Sequence, residues 1–203
     1  MKKVLLIVFI TFFYTGQAQT QTIKIKLGIR AGFNYSNITE LKSHYKFGRH
    51  GGIFGELALT KHYSLQPELC FSQQGAEHVE SYNQTIFDPT VYGLYYYDID
   101  LNYLSFVLVN KFTFADKIYL LVGPSIDFST INNEGLNSNV DLSIVTGFGI
   151  KVTDNFSLET RFKKGVFDIV DYGYYKTSDN FFFGDYNTNI LFQLGAIYTF
   201  NLK

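Results

Sequence analysis

Apolar and polar residues alternate with a period of two along most of this chain. That is the spacing of a strand with two unlike faces, and it excludes a helical fold. Between Ile25 and Tyr35, the set Ile25, Leu27, Ile29, Ala31 and Phe33 alternates with Lys26, Gly28, Arg30, Gly32 and Asn34. Seven more segments follow, at about 48–59, 63–74, 99–112, 117–129, 140–152, 155–165 and 189–200. The fourth is the least regular, because Tyr103, Val107 and Val109 share the otherwise polar face with Ser105 and Lys111.

The connections between these segments carry independent information. Three are short: Thr60 to His62, Thr113 to Asp116, and Thr153-Asp154. Those that alternate with them are long, at about 36–47, 75–98, 130–139 and 166–188. Short turns on one rim and long loops on the other are the pattern of a membrane barrel. The expected fold is therefore all-β, an eight-stranded antiparallel up-and-down transmembrane β-barrel with both termini on the short-turn side. Such a barrel closes without a free edge, as lipid requires.

The charges sharpen the assignment of faces. Lys26, Arg30, Glu56, Glu68, Lys111, Asp127, Asp141, Lys151, Glu159, Arg161 and Lys163 all fall on the less apolar face of their strands. A small barrel has room inside only for side chains, so these six bases and five acids are expected to form a paired interior network. A soluble sandwich would show the same alternation. The export signal, the loop asymmetry and an aromatic content of 18%, from 16 Tyr and 21 Phe, favour the membrane barrel. Gly28, Gly32, Gly147, Gly149 and Gly195 fall on the inward face and are expected to leave space for Arg and Lys. Pro67 and Pro124 read as bulges or rim positions.

The N-terminus reads as a signal peptide over residues 1–18. Lys2 and Lys3 form its basic part, Val4 to Tyr14 its apolar stretch, and Gly16-Gln17-Ala18 its cleavage site. A stretch of eleven residues falls short of the roughly 20 that span a bilayer as a helix. The barrel domain would then occupy 19–203, in the outer membrane. Cys70 is the single cysteine, so it has no internal disulfide partner and is expected to pack in a strand. Basic and acidic residues are interspersed and the net charge is -1, which gives nucleic acid nothing to bind.

Several segments together resemble a known family. "KLGIRAGFNYSNI", "SLQPELCFSQQG", "LNYLSFVLVNKF", "LLVGPSIDF", "VDLSIVTGFGI", "FSLETRFKKGVFDI" and "LFQLGAIYTF" look like the PorT-type outer-membrane β-barrel family of Bacteroidota, over nearly the whole mature chain. The resemblance implies an eight-stranded barrel without common catalytic residues, some of whose members are linked to secretion or gliding machinery. In the fourth strand the chain departs from that pattern, with Phe106-Val107 in place of an Ile-Pro pair and Ser105 in place of an acidic residue.

Binding tends to reside on loops held by a rigid scaffold. The candidates are Tyr95, Tyr96 and Tyr97 in the second long loop and Phe181, Phe182 and Phe183 in the fourth, a run too apolar for a free loop. Aromatic residues near the bilayer would also form an interfacial girdle. No HxxxH or CxxC spacing and no glycine-rich phosphate loop occurs, so neither metal nor cofactor is expected. Of the four histidines, His50 is expected to face inward, as a member of a polar network and not as a catalytic base. The expected function is that of a non-enzymatic outer-membrane barrel, held in outer-membrane lipid, whose aromatic loops serve adhesion or dock an envelope or secretion-machinery protein. The alternative is a carrier or pore that takes a small solute or lipid through the lumen.

Overall fold

The computed structural model describes residues 24–39, 41–84, 92–130, 139–166 and 188–200. Eight strands follow one another: β1 (Lys24–Ile38), β2 (His44–Ala58), β3 (Tyr63–Gln84), β4 (Tyr92–Phe114), β5 (Ile118–Ser129), β6 (Val140–Lys151), β7 (Phe156–Gly165) and β8 (Asn189–Phe200). Each pairs antiparallel with its sequence neighbours, and β8 returns to β1 from Leu27↔Phe200 to Ile38↔Asn189, which closes the barrel. The signal peptide expected over residues 1–18, and residues 19–23 after it, lie outside the described residues.

Alternation makes this barrel a soluble protein turned inside out. Ile53, Phe106, Ile144 and Leu194 are each more than half exposed, while Arg30, Glu68, Asp127, Glu159 and Arg161 are buried. Only a lipid solvent makes that arrangement favourable, because apolar side chains then cover the outside while the charged groups pair with one another within. Stacked aromatics reinforce the outer face. Phe33 packs on Phe47 and Tyr35 on Tyr45 toward the long-loop rim, and Tyr198 meets Phe200 at the short-turn rim.

The main departure from the expected boundaries lies in one hairpin. β3 and β4 run 22 and 23 residues against 10–15 in the other strands, so most of the expected loop at 75–98 is strand. Beyond His44↔Glu77, β3 pairs among the described residues with β4 alone, from Val79↔Tyr97 to Gln84↔Tyr92. Six residues at about 3.3 Å each carry this arm roughly 20 Å past the last β2 pairing. A bulge between Ala76 and Val79 lies at its base, where Gly75 (φ 136°) and His78 (φ 52°) occupy left-handed backbone. The extra residue flips the alternation, which is why Ala76 and Val79 both point to one buried cluster. The first long connection also contracts, since β1 and β2 extend to Ile38 and His44.

Neither Pro67 nor Pro124 stands at a register shift or on a rim. Both are exposed on the lipid face within their strands. Each is paired on one side, Pro67↔Leu108 and Pro124↔Ile144. On the other side the pairing lapses, between Phe54↔Glu68 and Leu57↔Leu65 for Pro67, and between Val107↔Ser125 and Asn110↔Val122 for Pro124. A residue without an N–H loses one ladder bond, and the register continues unchanged past the gap.

Candidate functional site

Charged side chains fill the lumen in three layers. In the middle layer Glu68 of β3 accepts hydrogen bonds from Arg30 Nη1 (2.8 Å), from Arg161 Nη1 and Nη2 (both 2.8 Å) and from Gln66 Nε2 (2.7 Å). Arg161 also reaches Glu159, at 2.9 Å from Nε and 2.7 Å from Nη2, and Tyr119 donates its hydroxyl to the other Glu159 oxygen at 2.9 Å. Two guanidiniums thus meet two carboxylates, and all four side chains are almost free of solvent. Bidentate Arg–carboxylate geometry is what makes such burial tolerable.

Toward the long-loop rim, Asp127 accepts from Lys163 Nζ (2.6 Å), Ser143 and Ser125. Asp141 stands directly opposite Asp127 on β6 and is buried with it. A neutral patch lies beside this layer. His50 Nδ1 is 2.8 Å from Asn34 Oδ1, Gln193 donates to the same oxygen, and Asn34 donates to Ser72. Asn189 donates to Gln74. Among the described residues His50 Nδ1 therefore meets an amide rather than a carboxylate.

At the short-turn mouth, Lys111 binds Glu56 at 3.0 Å and lies over the Tyr119 ring, 4.2 Å from its centroid. Ser64 donates to the same Glu56. Lys26 and Lys151 also belong to this layer, and neither forms an ion pair among the described residues. Val107, Val109, Tyr119, Leu121 and Val145 form an apolar cluster inside the barrel beside these charges.

The eleven charged residues picked out in the sequence thus fall into these layers. Arg30, Glu68, Glu159 and Arg161 meet in the middle, Asp127, Asp141 and Lys163 toward the long loops, and Lys26, Glu56, Lys111 and Lys151 at the mouth. The inward glycines make room mainly for rings. A Cβ on Gly28 would lie 2.2 Å from Phe54, one on Gly149 would lie 2.3 Å from Tyr119, and Gly32 and Gly195 flank His50. Only Gly147 sits under an arginine, Arg161. Sequence reasoning missed Lys24, which shares the inward face with Lys26, and Lys61, in a turn; both line the mouth. The first was legible from its even position on β1. Cys70 is buried, its thiol 3.7 Å from Glu68.

The loop candidates divide. Phe181, Phe182 and Phe183 lie outside the described residues. Tyr95, Tyr96 and Tyr97 belong to β4, on the arm, where Tyr95 is 45% and Tyr96 57% exposed. Tyr97 instead packs against the cluster of Ile38, Leu41, Ala76, Val79, Leu101 and Tyr103 at the base of the arm. The first connection and β2 brace the same base: Lys42 Nζ lies 3.7 Å from Glu80, the Glu80 N–H donates to the Lys42 carbonyl, and Lys46 of β2 binds Asp100 at 2.8 Å.

A family model described as the outer membrane protein beta-barrel domain matches residues 17–171, three quarters of the chain. The chain belongs to this family. Like its family, it is an outer-membrane β-barrel. Among solved structures it is similar to Neisserial surface protein A (TM-score 0.50, 12% identity, 89% of this chain and 100% of that one). It is also similar to Ail, the attachment invasion locus protein of Yersinia pestis, in complex with the heparin analogue sucrose octasulfate (TM-score 0.48, 12% identity, 87% and 99%). OprG from Pseudomonas aeruginosa is a further similar structure (TM-score 0.45, 11% identity, 87% and 96%). At such identities the likeness is one of fold. No curated protein matches the chain.

Proposed function

We propose that this barrel is a non-enzymatic scaffold whose β3–β4 arm docks an envelope or secretion partner or adheres to a surface. The observation that carries this reading is the arm itself, which leaves Leu94, Tyr95 and Tyr96 open to solvent above a base braced by two ion pairs. Tyrosine supplies large contact area at little cost in side-chain entropy, and a rigid base reduces the ordering cost of association. Adjacent residues on a strand point to opposite faces, so Tyr95 and Tyr96 let the arm be gripped from both sides. The resemblance of the strands to the PorT-type family of Bacteroidota supports a partner in the secretion or gliding machinery. The buried middle layer favours docking over passage through the lumen, because a solute would have to break the Glu68 and Arg161 bonds to pass.

The test places a photo-crosslinking phenylalanine analogue at position 96 in living cells, with position 106 on the lipid face as control. A discrete protein adduct at 96, absent at 106 and lost when Tyr95→Ala is added, is the expected result. Position 96 yielding no protein adduct under any growth condition would remove the docking reading.

A further inference from the structure

The interior charges are unevenly shared between the two ends of the barrel. The middle layer is neutral, with Arg30 and Arg161 against Glu68 and Glu159. The mouth is not. Lys24, Lys26, Lys61 and Lys151 line a cavity of about 470 Å³ there, together with Thr60, Tyr63, Ser64, Thr113 and a single carboxylate, Glu56. That carboxylate is already taken by Lys111 and Ser64. None of the four lining lysines forms an ion pair among the described residues. Lys111 and Lys26 lie close enough to Lys151 to repel its charge, and Glu56 and Asp116 close enough to attract it. Like charges held together in a concave site are a cost unless a counter-ion relieves it.

The direction of the side chains says which counter-ion. Lys24, Lys26 and Lys151 stand on the inward face, in phase with Arg30 on β1 and with Asp141 and Ser143 on β6. They line the lumen wall and face away from the ring of lipid headgroups around the rim. The cup opens at the short-turn end, which in this architecture is the periplasmic side. The Lys111–Glu56 pair over Tyr119 closes its inner end, so it is a blind receptor and not the vestibule of a pore. Its volume lies in the range of small-molecule sites. One phosphate cannot neutralise four ammoniums, whereas a short chain of phosphates can, and an ammonium is a strong point-charge partner for phosphate oxygens. Thr60 adds a donor: its oxygen accepts the N–H groups of His62 and Tyr63, which leaves the hydroxyl proton available.

We infer that the periplasmic mouth is a binding site for a soluble oligophosphate, held by Lys24, Lys26, Lys61 and Lys151. The site stands at the opposite end from the arm and does not depend on the docking reading.

The test is calorimetric titration of tripolyphosphate into the full barrel in nanodiscs of phosphatidylcholine, with Lys26→Gln/Lys151→Gln as the variant and Lys42→Gln, at the far rim, as control. The expected result is saturable one-to-one binding that weakens with salt, falls by about tenfold or more in the double variant, and is unchanged in K42Q. Absence of binding, or equal binding by the double variant, would overturn the site. Loss of binding when the nanodisc contains phosphatidylglycerol would also overturn it, since headgroups and not a free solute would then occupy the lysines. An acidic peptide that binds as tightly as tripolyphosphate and competes with it would refute the oligophosphate assignment.

Discussion

The middle of the lumen and its periplasmic mouth both bring basic side chains together with carboxylates, yet they are opposites in electrostatic design. In the middle, each charge finds its counterpart within 2.9 Å and none is accessible to water. At the mouth one Lys–Glu pair forms, and four further lysines have none among the described residues. The difference teaches that an inward charge has no fixed meaning in a small barrel. A sealed layer holds the strands together and closes the bore, while an unbalanced layer is held ready for something from outside.

Substitutions can break this contrast at graded cost. The largest effect belongs to Glu68→Gln, which leaves Arg30 and Arg161 facing each other across a neutral amide; breaking a buried pair in this way costs about 3–5 kcal/mol. Urea unfolding in phosphatidylcholine vesicles should show the midpoint fall accordingly, and a variant as stable as the parent would refute the sealed layer. Gly149→Ala comes next. Its new Cβ would lie 2.3 Å from the Tyr119 ring, displacing the hydroxyl from Glu159, and overpacking of this kind costs about 1–3 kcal/mol. The same unfolding assay should rank it between the other two. The smallest effect is expected for Lys26→Gln/Lys151→Gln, within about 0.5 kcal/mol of the parent. A loss as large as that of E68Q would mean that these lysines hold the barrel together and are not free for a ligand.

How much of this was legible in the sequence depended on whether alternation ran unbroken. It does so along β1, where Ile25 through Phe33 face lipid and Lys26 through Asn34 face inward, and strand, face and interior charges could all be read. It fails at Gly75–His78, where a bulge shifts the inward positions from even to odd. Pattern reading therefore ends β3 at Gln74 and misses the arm. Tyr95, Tyr96 and Tyr97 add to this, since three like residues in a row carry no period. The pairing of charges was beyond the sequence for another reason. Arg161 and Glu68 are 93 residues apart, and which base meets which acid is set by stagger around the barrel, not by position along a strand. Alternation does mark Lys24 as inward, yet that the mouth is unbalanced emerges only when Lys61, in a turn, joins the same cavity.

The most direct test of the central claim, that recognition lies on the surfaces of a barrel whose bore is sealed, is current recording of the purified protein in a planar bilayer. A bore closed by Arg30, Glu68, Glu159 and Arg161 predicts a flat baseline for the parent protein across the voltage range at which porins conduct. Stable, reproducible conductance steps from the parent would contradict the account, and would make the barrel a passage for solutes.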